Sequence, residues 1–435
     1  MKKIGFLAVF FAAATALSAE GYRELVQRLE AAPILRSAAL MGAAAREQAL
    51  AAEGRNLPSL DLMFRGAWLK ETPTMTLHTG LGPAQPLPMG KKRQFVGELR
   101  LSYPLFTGFA VTAQIDRNRW EAVRARLKRL DLRRNLILRL TGLYGAVRAQ
   151  QRVLVAQIEA KKAMLSARKK AEGLYKNGLL PPADLYKIRA KVYEVDAQIA
   201  QTRSRIGQIL NELGYLTGSS VHSVAGPIVL HSLPGKARLK RRAFAQRSDL
   251  RALRALLKVD EAQIRLAESR YYPTVALAAG LKRHGDTPAL KGDGFTNADQ
   301  SYVGMNISWN LFSGQSDRHH VEAARYKRLA SAQQLLDYRH RIATEIDNAY
   351  LDLRTLRAKH RSAVMQVKAQ AEYAKLTRGR FDNQLAGADE LSRAIADLAN
   401  AKALEGGLQE QIRIQRAKIW LLAGVKSFEK ALTGK

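Results

Sequence analysis

The 435-residue chain contains no cysteine, which excludes a disulfide framework and leaves no lipid-acceptor thiol behind any leader segment. Proline is scarce and unevenly placed: there are 13 in all, none between Pro104 and Pro181 and none after Pro288. An interior proline removes a backbone donor and clashes with the preceding turn, so these gaps favour long helices over a compact α/β enzyme. No run of about 20 apolar residues is present either, so membrane contact of the mature chain would have to be made by strands. Acidic residues are few, 38 Asp and Glu against 71 Lys and Arg, for a net charge of +33. The basic residues are spread along stretches such as Arg117–Arg139 and Arg318–Arg341, without aromatic interleaving. That pattern reads as the solvated faces of helices and argues against nucleic-acid binding, while contact with anionic lipid headgroups or an acidic partner stays open.

The motifs of common catalysts are missing too. There is no nucleotide-phosphate loop, no HExxH and no GxSxG, and Gly90-Lys91-Lys92-Arg93 lacks the phosphate-loop spacing. His319 and His320 are adjacent and therefore do not share a helix face, which fits a solvated pair better than a metal site. No carboxylate pair stands out as an acid/base dyad. The expectation is a protein without catalytic residues, metal or cofactor.

What is present begins with a targeting signal expected over residues 1–19. Lys2 and Lys3 precede an apolar run from Ile4 to Phe11, and small residues through Ala12–Ala19 offer a cleavage site. The rest of the chain is a duplication. Leu105-Phe106-Thr107-Gly108 returns as Leu311-Phe312-Ser313-Gly314, and the same offset of 206 carries Tyr144 onto Tyr350, Tyr175 onto Phe381 and Gly218 onto Gly424. Upstream, Asn56-Leu57-Pro58-Ser59-Leu60 aligns with Tyr271-Tyr272-Pro273-Thr274-Val275 at an offset of 215, and the difference falls in a segment, 72–92, read as a longer loop. The expected layout is a first repeat over 20–225, a second over 226–424 and a tail over 425–435.

Each repeat opens with a helical segment, about 21–55 and about 243–270, and continues with two strands. The four strands are expected at about 59–70, 94–104, 273–283 and 301–311. Leu60, Leu62, Phe64 and Trp68 alternate with Asp61 and Arg65, and Val303, Met305, Ile307 and Trp309 alternate with Tyr302, Asn306 and Ser308. Such a dyad pattern suits strands with lipid on one side and water on the other, although a half-buried soluble sheet shares it. Four strands cannot close a barrel, and open edges are not tolerated in hydrocarbon, so membrane-spanning strands would require several subunits. Long helices follow at about 110–176, 182–217, 316–381 and 388–423. Leu136, Leu140, Leu143 and Val147 step as a coiled-coil seam, echoed by Ile342, Ile346, Ala349 and Leu353.

These features together resemble the outer-membrane efflux proteins, the TolC-like channel-tunnels. The signal segment, the duplication, the Tyr-Pro-Leu-Phe-Thr-Gly-Phe run at 103–109, its echo at 309–314 and the helix break over 174–185 carry the resemblance. It implies a mainly α fold with a transmembrane β-barrel contribution: a homotrimer whose 12 strands share one barrel, with a periplasmic α-helical tunnel below. It further implies docking on a periplasmic adaptor, linkage to an inner-membrane pump, contact with outer-membrane lipid and passive conduction. On the same ground, Pro104, Phe106, Gly108, Phe312 and Gly314 make the barrel-to-helix turns, and Gly178, Leu179 and Leu385 form adaptor-docking tips. Asp389, Glu390 and Asp184 would line a gated aperture, the first as a cation-attracting ring. Gly178 also reads as a helix C-cap, and Asp184 and Glu390 as ordinary residues of a first helical turn. The sequence departs from the family where a second aspartate would fall, at Ser392, and at Phe381, where some members carry a tyrosine. Alternative readings are the exit duct of a protein-secretion system and, from another class, a periplasmic coiled-coil tether.

Overall fold

A computed structural model describes residues 19–77, 85–292 and 299–433. The expected signal segment lies outside these, apart from Ala19. The elements run α1 (Tyr22–Arg28), α2 (Pro33–Glu53), β1 (Ser59–Trp68), β2 (Thr74–Leu77), β3 (Gln85–Pro88), β4 (Arg93–Phe106), α3 (Ala110–Lys176) and α4 (Pro182–Thr217). The second half continues with α5 (Lys236–Gln246), α6 (Ser248–Glu268), β5 (Thr274–Gly285), β6 (Asp299–Ser308), α7 (Ser316–Asp382), α8 (Ala388–Leu422) and α9 (Val425–Thr433). Both α3 and α7 are 67 residues long, and their bounds differ by the repeat offset. Contacts divide the chain into two units, and the division falls within α2, α3, α6 and α7. No described helix is long and apolar enough to cross a membrane.

One unit, 40–126 with 251–336, holds the strands. They form an antiparallel sheet in the order β1-β4-β5-β6, so the two repeats join through β4 and β5. The register puts Leu62 beside Leu99, Leu99 beside Leu281, and Leu277 beside Met305. All of these lie on one face, and alternation sends Asp61, Glu98, Arg100, Lys282 and Tyr302 to the other. The polar face is internally matched: Asp61 sits opposite Arg100, Glu98 opposite Lys282, and the Tyr302 hydroxyl reaches Glu98 at 3.0 Å. Among the described residues, Leu290 lies over Gly97 and Phe95 is buried, but most of the apolar face is uncovered. Leu62 is 80% and Val303 77% exposed, and Leu60, Phe64, Trp68, Met305 and Ile307 are exposed beside them.

Two details of this unit depart from expectation. The fourth strand ends at Ser308 rather than near 311, because the Asn310 side chain accepts the Phe312 N–H and turns the backbone, while Trp309 Nε1 donates to the Tyr271 carbonyl. The segment read as a loop contains a short hairpin, β2 with β3, whose connection at 78–84 lies outside the described residues.

The second unit comprises the residues up to Ala39, with 127–250 and 337–435. Its main core gathers Leu25, Ile137, Leu140, Tyr144, Leu213 and Phe428. Here Leu136, Leu140 and Val147 are buried as the seam requires, as are Ile342, Ile346, Ala349 and Leu353, while Leu143 is half-buried. At one crossing, a β-carbon on Gly145 of α3 would meet the Ile414 side chain of α8 at 2.3 Å, so any larger residue there would force Ile414 to move. The two repeat tyrosines have matching tasks. Tyr144 donates to the carbonyls of Ala225 and Gly226, and Tyr350 to that of Pro234, so both hold the extended segment between the repeats.

Two further corrections belong to this unit. The segment expected as a tail is helical, and Phe428, Ala431 and Leu432 of α9 are buried in the core. The helix expected over about 243–270 is interrupted at Arg247, whose backbone is extended and whose side chain is 2% exposed. Its guanidinium holds Asp249 at 2.5 Å, and Asp249 also accepts from Arg134 at 3.2 Å and from the Tyr338 hydroxyl at 2.8 Å. Burial alone would raise the Asp249 carboxyl, but hydrogen bonding and charge from Arg247, then Arg134, hold it below the usual carboxylate range. Burial, reinforced by Asp249, pushes Tyr338 up to about 12.

Candidate functional site

The sequence points to two places, the strand-to-helix turns and the helix-hairpin tips. In the first turn, Gly108 (φ 58°) and Phe109 (φ 68°) are both left-handed; in the second, Gly314 (61°) and Gln315 (64°) repeat the geometry. Two left-handed residues reverse the chain from strand to helix, and glycine opens each pair because it tolerates that region. Their surroundings differ. Pro104 and Phe106 flank a bulge in β4, and Phe106 packs edge-on against Phe109, which packs edge-on against Tyr272. A β-carbon on Gly108 would meet the Ser269 carbonyl oxygen at 2.7 Å. At Gly314 no described residue other than its chain neighbours comes within 4 Å of such a carbon, and Phe312 is 80% exposed.

The tips belong to the helical unit. At the first, α3 ends in a Schellman turn: the Leu179 N–H reaches the Leu174 carbonyl at 2.8 Å, and Gly178 is left-handed at φ 74°. Pro181 and Pro182 then start α4, with Asp184 in its first turn. At the second tip the Leu385 N–H reaches the Arg380 carbonyl at 2.7 Å, and the left-handed position falls on Gln384, with φ 60°. The backbone turn is the same although the glycine is absent. Leu179 and Leu385 are both exposed at these turns.

Behind the turns the two hairpins share one apolar cluster. Phe381, Leu185, Ile188, Met164, Leu391 and Ile395 are buried in it, and Ser392 is buried nearby. Phe381 therefore serves as core, whereas its repeat mate Tyr175 is exposed. A cavity of about 650 Å³ lies beside this cluster, lined by alanines of α3 and α7 and bordered by Lys170, Lys375, Arg378 and Lys402.

The three acidic residues are each met by a cation. Lys187, one turn into α4, lies 3.2 Å from Asp184 and 3.5 Å from Asp389, so one ammonium joins the first turns of α4 and α8. Glu390 is separate from that pair. It binds Arg380 at 2.8 Å, and Arg380 also donates to the Leu385 carbonyl at 3.2 Å. The hydrogen bond to Asp184 and the charge of Asp389 raise the Lys187 ammonium above its ordinary range. Neither Lys187 nor Arg380 stands out in the sequence by itself. The one local signal for Lys187 is its position three residues after Asp184, which puts the two on one helix face. Among the described residues no group of His, Asp and Glu side chains could hold a metal ion.

Comparison with known proteins places this geometry. The model of a family described as outer membrane efflux protein matches residues 25–219 and 239–425, one segment for each repeat. Protein CyaE of Bordetella pertussis is 26% identical over 289 residues, which is 65% of this chain and 60% of that protein, so the chain spans about three fifths of its length. Among solved structures, VceC, an outer membrane protein of Vibrio cholerae, superposes with a TM-score of 0.75 at 18% identity, over 93% of this chain and 96% of the other. CusC, in structures concerned with folding and transmembrane channel formation, gives 0.76 at 14% identity, over 93% and 92%. The open state of the MtrE outer membrane channel of Neisseria gonorrhoeae gives 0.72 at 16%, over 93% and 89%.

Proposed function

Since the chain belongs to the outer membrane efflux protein family, we propose that it is the outer-membrane channel subunit of a tripartite efflux system. It works as a homotrimer whose 12 strands close one barrel, and it conducts substrates passively from a periplasmic adaptor and inner-membrane pump to the exterior. The observation that carries this reading is the uncovered apolar face of a four-stranded sheet with free edges at β1 and β6. Large exposed apolar sheets are avoided in water, and hydrocarbon satisfies the face only if both edges are paired. Copies of the same sheet joined edge to edge meet both demands. Within this assembly Gly178, Leu179 and Leu385 present the turns that dock on the adaptor. Asp184, Asp389 and Glu390 sit at the periplasmic aperture.

Repeat symmetry specifies the missing strand pair. Ser102 of β4 faces Ala278 of β5 within the chain. Applying the repeat offsets places Ser308 of β6 opposite the partner's Met63 on β1. A cysteine-free chain makes the test simple. Met63→Cys combined with Ser308→Cys should, on mild oxidation of the detergent-solubilised protein, yield linked species that stop at three chains. Met63→Cys with Gly304→Cys, two rungs away, should remain unlinked. Absence of linked chains in the first variant, or recovery of the mature protein as a monomer without detergent, overturns the reading.

A further inference from the structure

An acidic residue at the mouth of a pore attracts cations only if its charge is not cancelled nearby. Asp389, the residue on which a cation-attracting ring would rest, shares Lys187 with Asp184. Glu390 is matched by Arg380. All three acidic positions therefore carry a counter-charge from their own chain. We infer that Lys187 sets the selectivity of the channel: its single charge offsets one of the two aspartate charges it joins, and with the Lys and Arg around the tip it removes the cation preference of the aperture and leaves an entrance suited to anionic solutes. This rests on the channel reading above and names the substrate class of the same site.

Three observations support it. The Lys187 side chain is about half exposed, at 52%, as is that of Asp389, at 55%, so both charges are felt in water and by a passing ion. Ion pairs this exposed add little to folding stability, so a stability role does not explain the arrangement. The field at the tip depends on summed charge and not on the strength of any one pair. That sum is positive: residues 168–191 hold seven Lys and Arg against two acids, and residues 375–393 hold four against three. Because the Asp184 hydrogen bond and the Asp389 charge raise the Lys187 ammonium, it stays charged throughout the neutral range. Lys187 is the cation that reaches both aspartates, and without it the two carboxylates from different hairpins would repel across the same gap.

The test uses the full-length protein in planar lipid bilayers under a potassium chloride gradient. Wild type should show a reversal potential without cation preference. Lys187→Gln should raise the potassium-to-chloride permeability ratio by about threefold or more. Lys187→Arg should keep the wild-type value, and Lys187→Gln with Asp389→Asn should return towards it. Running each variant as a detergent-resistant oligomer beside wild type separates selectivity from misfolding. A cation-selective wild type, or a ratio that Lys187→Gln leaves unchanged, overturns the inference while the channel reading survives. Absence of conductance from wild type overturns the channel reading, and this inference with it.

Discussion

The two copies of the repeat share their backbone and differ in what surrounds it. In the first copy the strand-to-helix turn is packed: Gly108 lies against the backbone at Ser269, and Phe106 and Phe109 stack towards Tyr272. In the second, the same turn at Gly314 has open space around it and Phe312 is bare. A second contrast lies where α2 and α6 begin. Applying the repeat offsets to the second copy's ion cluster (Arg247, Asp249 and Tyr338) leads to Ala32, Ile34 and Leu132 in the first. Equivalent positions can thus be filled by apolar side chains or by a matched set of charges. Sequence repetition thus reproduces the turn, while the residues packed around it are particular to each copy.

The ionic cluster should be the most costly of these sites to disrupt. Asp249→Ala leaves the guanidinium of Arg247, which is 2% exposed, without its closest counter-charge, and should cost about 3–5 kcal/mol of stability. Denaturant unfolding of the detergent-solubilised protein measures this, and a loss indistinguishable from that of a surface substitution would remove the cluster from the fold's energetics. The same site gives a pH dependence. A carboxyl held below its ordinary range in the folded state stabilises the fold above the unfolded-state value, about 4, and that contribution is lost as pH falls through the folded value. Asp249→Asn should flatten the acid limb of the stability profile, and an unchanged limb would count against the assignment.

A smaller effect sharpens the comparison of the two turns. Gly108→Ala meets both a left-handed backbone and a carbonyl oxygen, and should cost about 2–3 kcal/mol. Gly314→Ala meets only the backbone term, about 1 kcal/mol. Equal losses in thermal unfolding would show that the turns are not differently packed. The smallest effect concerns the tips, where the two substitutions should have opposite signs. Gln384→Gly relieves a left-handed glutamine and should stabilise by about 0.5–1 kcal/mol, whereas Gly178→Gln should destabilise by a similar amount. Shifts of the same sign would mean that the two tip backbones are not equivalent.

Much of this was readable from residues. The long helices follow from proline-free stretches, the strand faces from dyad alternation, and the duplication from two offsets that hold along most of the chain. The tip turn at Gly178 carried its glycine openly. Its counterpart at Gln384 did not, because the left-handed residue there is held by the capping bonds from Leu385 to Arg380 and from the Asn383 side chain to Gly379, not by its own preference. The extended break at Arg247 was hidden for a similar reason. The equivalent break at Ala32, equally extended, is marked by Pro33, whereas Arg247 has no proline after it and its side chain instead meets Asp249 and the distant Tyr338.

Sequence alone determined the repeat, the long helices, the two-faced strands and the positions of the glycine turns, because periodicity and backbone permissiveness are local properties. It takes the folded chain to set Lys187 between two aspartates from different hairpins, to make Phe381 core while Tyr175 is exposed, and to pack one turn while its copy is bare. Those are outcomes of which helices meet, and electrostatic and packing energies between residues some 200 positions apart leave no mark in any short window of the chain.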